Sequence, residues 1–135
     1  MKTKAIGNLE AAETLINKQE EKYYTASIHH AYYAVFQYII YVLANTDTEP
    51  LSYEEQTAQA KGKKGGSHDF VIKQIRQRIG DKETARNFAQ DVFTLKKKRI
   101  DADYSTRQFT LEESLACKQK AEELITELKM YFGDL

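Results

Sequence analysis

The run AYYAVFQYIIYVLA at 31–44 constrains the fold more than any other part of the sequence. It is apolar nearly all round a helix, and such a helix must be enclosed by other helices or by a second chain. Its fourteen residues are too few to cross a bilayer, which takes about 20 apolar residues. We therefore expect a helix from about Lys22 to Ala44 that is central in its bundle or buried against another chain.

The remainder of the chain is also predicted to be helical, because one proline and six glycines leave few breaks. Apolar residues recur at steps of three and four, and no segment shows the alternation of a strand. The predicted helices cover 8–20, 22–44, 67–80, 81–104 and 110–132. Their N-caps would include Asn8, Ser67, Asp81 and Thr110, the last of which opens a T-x-x-E capping box.

The segment 45–66 is the long connection of the chain, with Pro50 near its start and a basic GKKGG stretch at its end. We expect a flexible loop, in which 52–60 forms a short extra helix at most. The inner face of the last helix is predicted to consist of Leu111, Leu115, Ala121, Leu124, Leu128 and Tyr131. The sequence thus predicts a single all-α domain over 1–135, an antiparallel bundle of four to five helices.

The overall charge does not favour a nucleic-acid-binding class, because 20 basic and 20 acidic residues cancel. A single cysteine, Cys117, excludes an internal disulfide and a CxxC zinc site, and it fits a reducing compartment. The polar start at 1–22 lacks the apolar core of a signal peptide. We therefore expect a cytoplasmic protein that does not enter a membrane.

A charged pair, Arg99 and Asp103, falls on a helix face that should be buried. Arg99 lies in the middle of an arc of roughly 80° that also holds Phe88, Val92, Leu95 and Ala102. Charges on such a face are costly unless they are paired or used. Two interpretations stay open: an ion pair that fixes the end of the helix, or a groove in which Arg99 and Lys96 contact phosphate and which His30 shares.

Three blocks in this order carry a family resemblance: ASIHHAYYAVFQYIIYVL at 26–43, SHDFVIKQI at 67–75 and LKKKRIDADY at 95–104. Together they resemble the HEPN domain family, in particular the branch with an AYYA helix and an R-x-x-ADY motif. The resemblance implies a helical bundle and a homodimer. It also implies either a toxin-like ribonuclease or a partner of a small nucleotidyltransferase.

The ribonuclease members of that family carry an arginine followed by a histidine four to six residues later, and two copies meet across the dimer. Arg99 matches the arginine, but Tyr104 stands where the histidine would be. Tyrosine, with a reference pKa near 10, is a poor proton shuttle at neutral pH. We therefore interpret the chain as a non-catalytic module that binds RNA, a nucleotide or a partner protein. The alternative is a metal-independent ribonuclease that uses Arg99 with Tyr104, His30 or His68.

The other candidate groups point to no further chemistry. His29 and His30 are adjacent, so they do not form the i, i+4 pair that a helical metal site requires. No metal and no cofactor is predicted. A homodimer is predicted on a second ground, because the apolar surface of the 31–44 helix exceeds what one small bundle easily covers. Its tyrosines, or the Arg99 end of the fourth predicted helix, would then line the contact.

Overall fold

A computed structural model describes all 135 residues as six helices without a strand. The helices are α1 (Lys2–Asn17), α2 (Glu21–Asn45), α3 (Tyr53–Ala60), α4 (Gly66–Arg78), α5 (Lys82–Tyr104) and α6 (Leu111–Phe132). The predicted all-α bundle is confirmed, with six helices instead of four to five. The additional helix is α3, which lies in the 45–66 connection where the sequence allowed a short helix over 52–60.

Helix α2 lies at the centre of the bundle and packs against α1, α4, α5 and α6. The interior prediction for its second half is confirmed, since Val35, Ile39 and Leu43 are fully buried. This burial occurs within one chain. The expectation that the apolar surface of the 31–44 helix is too large for one bundle to cover is therefore wrong. The prediction of a homodimer therefore depends on the family resemblance alone.

Helix α3 is held in place by its cap and by one buried side chain. Ser52 Oγ accepts a hydrogen bond from the Glu55 amide at 3.1 Å, and Glu55 accepts one from the Ser52 amide, which completes a capping box. Gln56 is buried and donates to the carbonyl oxygens of Ile40 and Leu51. These bonds tie α3 to the end of α2.

Two predicted N-caps are wrong. Helix α1 begins at Lys2, so Asn8 lies inside it and is not its N-cap. The side chain of Asn8 donates a hydrogen bond to Gln37 of α2. Helix α4 begins at Gly66, and its N-cap is Gly65, not Ser67. Gly65 has a φ of 85°, and a Cβ there would collide with the side chain of Asp69. Glycine adopts a positive φ without strain and has no Cβ, so it alone fits at position 65.

The helix N-caps at Asp81 and Thr110 are confirmed, each accepting a hydrogen bond from an amide in the first turn. The inner face of α6 was predicted only in part. Leu124 and Leu128 are buried, whereas Leu111 and Leu115 are 37% and 46% exposed. Phe109, just before the helix, is fully buried and takes the core position at that end.

Thr25 of α2 anchors the connection between α5 and α6. Its Oγ1 accepts a hydrogen bond from the buried Phe109 amide at 2.9 Å and lies 2.8 Å from Gln108 Oε1. This contact holds the connection between α5 and α6 against α2.

We expect Thr25→Val to lower the free energy of unfolding by about 1–3 kcal/mol, because it leaves the buried Phe109 amide without an acceptor. Urea denaturation measures the change. The matched control is Thr126→Val, since the Thr126 hydroxyl is exposed and bonds only within its own helix. That variant should differ from the parent by less than about 0.5 kcal/mol. Equal effects of the two substitutions would contradict the anchoring role.

Candidate functional site

Arg99 of α5 is buried against the aromatic face of α2. Its side chain is 9% exposed, and its guanidinium carbon lies 5.3 Å and 5.4 Å from the ring centres of Tyr32 and Tyr33. Both distances are in the range of cation–π attraction, which is strongest where water is excluded. The Nε atom is buried and has no hydrogen-bond partner. The guanidinium is therefore largely removed from solvent with incomplete compensation of its charge.

Asp103 supplies the nearest opposite charge and shares it between two partners. One carboxylate oxygen, Oδ2, lies 3.6 Å from Arg99 Nη1 and 2.8 Å from His29 Nδ1. The predicted proximity of Arg99 and Asp103 is present as an ion pair, while the short hydrogen bond goes to His29. The carboxylate joins α5 to α2 at the site.

His68, at the start of α4, completes an aromatic stack on α2. Its ring lies 4.1 Å from the ring of Phe36 with an interplanar angle of 9°, and its Nδ1 is 2.7 Å from the Tyr32 hydroxyl. Burial and the positive charges of Arg99 and Lys96 lower the pKa of His68 to about 4. Burial raises the pKa of Tyr32, so the phenol keeps its proton. His68 is accordingly a neutral, weakly basic imidazole at physiological pH.

Lys96 lies on the same side of the bundle as Arg99, one turn earlier in α5. Its ammonium donates to Asp69 Oδ1 at 2.7 Å, and the lysine side chain is 18% exposed. Asp69 follows His68 in α4, so this ion pair holds the start of α4 against α5. It also places a second cation beside the Arg99 cluster.

Two of the predicted site residues lie elsewhere. His30 turns toward α1, where its Nδ1 is 2.7 Å from Asn8 Oδ1, and burial lowers its pKa. Tyr104 is 78% exposed, and no hydrogen bond or aromatic contact connects it to Arg99. A step of five residues turns a helix by about 140°, which explains why Tyr104 and Arg99 do not face the same way.

His29 belongs to the site although the sequence interpretation set it aside. It precedes Tyr32, Tyr33 and Phe36 by three, four and seven residues, so all four share one face of α2. The rings of His29 and Tyr33 lie 4.6 Å apart. That spacing was the available signal, but the contact with Asp103, 74 positions away, is created by the fold.

The sequence matches a known protein family over almost its whole length. The family model of the HEPN domain matches residues 1–131. The chain belongs to the HEPN domain family. The resemblance stated from the three sequence blocks is therefore confirmed, and HEPN domains form a family of modules related to nucleotides and RNA. No curated protein and no solved structure matches this HEPN domain.

Two further structural findings concern membranes and metals. None of the six helices combines the length and the apolar character that spanning a bilayer requires. The fold brings together no group of three or more His, Cys, Asp or Glu side chains that could hold a metal ion. Cys117 is buried, and burial raises the pKa of its thiol. A reactive thiolate at this position is therefore disfavoured.

The depressed pKa of His68 predicts a pH dependence of stability. An unfolded chain protonates this imidazole near its ordinary value of 6.5, whereas the folded chain does so only near 4. Between these values the unfolded state binds more protons, so the free energy of unfolding falls as the pH is lowered through this window. In urea titrations from pH 7 to pH 4, His68→Gln should show a shallower decline than the parent. Parallel declines would contradict the neutral state of His68.

Proposed function

We propose that this HEPN domain binds RNA by taking a backbone phosphate at Arg99. The observation that carries the proposal is the incomplete compensation of the buried guanidinium: one carboxylate at 3.6 Å, shared with His29, and an unpartnered Nε. Arginine offers a planar fork of donors that matches a phosphate. A phosphate at the exposed edge would supply the charge that Asp103 supplies only in part.

A cleft at the turn between α4 and α5 supports a polyanionic ligand over a neutral one. Its volume is about 720 Å³, and its lining includes Lys73, Arg76 and Lys82 without any acidic residue. None of these three cations forms an ion pair. In a chain whose net charge is zero, this is a local surplus of positive charge that fits a phosphate backbone.

The catalytic alternatives considered from the sequence find little support in the geometry. Tyr104 and His30 point away from Arg99, and His68 has its Nδ1 engaged by Tyr32 and a pKa of about 4. Cleavage of RNA through Arg99 with any of these three groups is therefore not proposed. A partner protein such as a nucleotidyltransferase is the competing class of ligand. It becomes the better hypothesis if the protein does not bind RNA through Arg99.

Assembly as a homodimer stays a prediction of this proposal. Ile100 and Tyr104 are 40% and 78% exposed and lie one turn apart on α5, next to Arg99 in the chain. A second copy seated there would cover both side chains and bring two Arg99 sites together. Sedimentation at micromolar concentration should give twice the chain mass of 15.6 kDa. A species of 15.6 kDa would contradict the dimer.

The binding test uses a labelled single-stranded RNA with 2′-O-methyl riboses, so that cleavage cannot obscure affinity. Fluorescence anisotropy should show binding by the parent that weakens as salt rises, because phosphate contacts release counterions. Arg99→Lys keeps the charge but loses the fork, and it should bind at least about 10-fold more weakly, a loss of about 1.4 kcal/mol.

The matched control is Lys129→Ala, which removes an exposed cation of α6 and should leave the affinity unchanged. Circular dichroism verifies that both variants fold. If the parent does not bind RNA at low salt, or if folded Arg99→Lys binds as tightly as the parent, the proposal is wrong. In that case Arg99 is a structural charge, and a protein partner becomes the better hypothesis.

A further inference from the structure

A second cavity lies where α3 packs over α2 and α4. Its volume is about 200 Å³, and five of its eight lining residues are apolar. None of the eight carries a charge, so a charged molecule placed here would have no counter-ion. The cavity therefore suits a neutral molecule, in contrast to the basic cleft at the turn between α4 and α5. Its lining includes Phe36, Ile40, Tyr53, Gln56, Ser67 and Val71.

Gln56 is the polar group that gives this cavity chemical specificity. Its Nε2 donates to the carbonyl oxygens of Ile40 at 3.1 Å and of Leu51 at 2.9 Å. These two bonds use both amide hydrogens and fix which end of the amide is the oxygen. The residue is 4% exposed, and its Oε1 is buried without a hydrogen-bond partner in the chain. A buried acceptor without a donor destabilises a fold, so a ligand that donates to Oε1 would recover that loss.

Access to this oxygen requires the movement of a neighbouring side chain, because Oε1 itself is enclosed. Tyr53 lines the same cavity from the first turn of α3 and is 41% exposed. Its hydroxyl forms no hydrogen bond and its ring stacks on no other aromatic ring. The ring of Tyr53 can therefore turn aside at little cost, while the backbone of α3 stays fixed by its capping box.

The size and the walls of the cavity limit the ligand further. An apolar cavity of about 150 Å³ is enough to hold a benzene molecule. The cavity of about 200 Å³ is therefore large enough for one ring or two fused rings, and it is smaller than the pockets of about 300 Å³ or more that take drug-sized ligands. Phe36 and Tyr53 contribute aromatic walls, against which a flat ring packs favourably.

We infer that this cavity binds a neutral aromatic compound of one or two fused rings that donates an N–H or O–H hydrogen bond to Gln56 Oε1. The inference does not depend on the binding of RNA, because Arg99, Asp103 and the three histidines lie outside the lining.

The experiment compares two ligands that differ in a single group. Indole is the probe, and benzofuran is the control, because it has the same fused rings with an oxygen in place of the N–H group. Titrations followed by two-dimensional amide NMR spectra should show saturable binding of indole, with shifts centred on the cavity and on the side-chain amide of Gln56. Indole should bind at least about 5-fold more tightly than benzofuran, since only indole supplies the donor that Oε1 lacks.

A pair of identical substitutions locates the site. Ile40→Phe enlarges a half-buried side chain that lines the cavity, and it should weaken indole binding at least about 10-fold by filling the space. Ile6→Phe makes the same change at an exposed position of α1 outside the lining, and its affinity should stay within about twofold of the parent. Circular dichroism verifies that both variants fold. If Ile40→Phe is unfolded, Ser67→Phe replaces it, because Ser67 is exposed and lines the cavity from α4.

Three results would overturn the inference. The first is the absence of shifts around the cavity at millimolar indole. The second is binding of benzofuran as tightly as indole, which would show that Gln56 Oε1 accepts no hydrogen bond from the ligand. The third is parent-like binding of indole by a folded filling variant, which would place indole elsewhere on the protein. None of these results bears on RNA binding, since the parent's affinity for RNA is measured without either compound.

Discussion

The site depends on one interaction, the burial of the Arg99 guanidinium against the tyrosine faces of α2. A charge that is 9% exposed is tolerated here because two aromatic rings and one carboxylate replace part of its hydration. This replacement of hydration is incomplete, so the charge of Arg99 still acts on the groups around it. It contributes to the low pKa of His68, and Asp103, its ion-pair partner, bonds to His29 of α2.

The aromatic face of α2 is the second requirement. His29, Tyr32, Tyr33 and Phe36 recur at helical spacing, so one straight helix presents a continuous row of rings to α4 and α5. Because α2 is enclosed on its other sides by α1 and α6, this row cannot rotate away. The core of the bundle therefore sets the orientation of the site. Substitutions that weaken the packing of α2 would disturb the core and the site together.

The sequence predicted the helical class, the central helix and two N-caps because these follow from local periodicity and local hydrogen bonding. It also placed Arg99 on a buried face, since that conclusion needs only the helical repeat. It failed where a distant partner decides: Asn8 bonds to α2 instead of capping α1, and Phe109 displaces Leu111 from the core. His29 was missed for the same reason, because its partner Asp103 comes close only in the folded chain.

The shared carboxylate links the candidate binding group to the face of α2. Asp103 divides its charge between Arg99 and His29, with the shorter contact to His29. A phosphate on the guanidinium would satisfy part of the charge of Arg99 and so weaken its hold on Asp103. The carboxylate would keep its shorter contact with His29, so α5 would stay joined to α2 while the ligand replaces one of the two partners of Asp103.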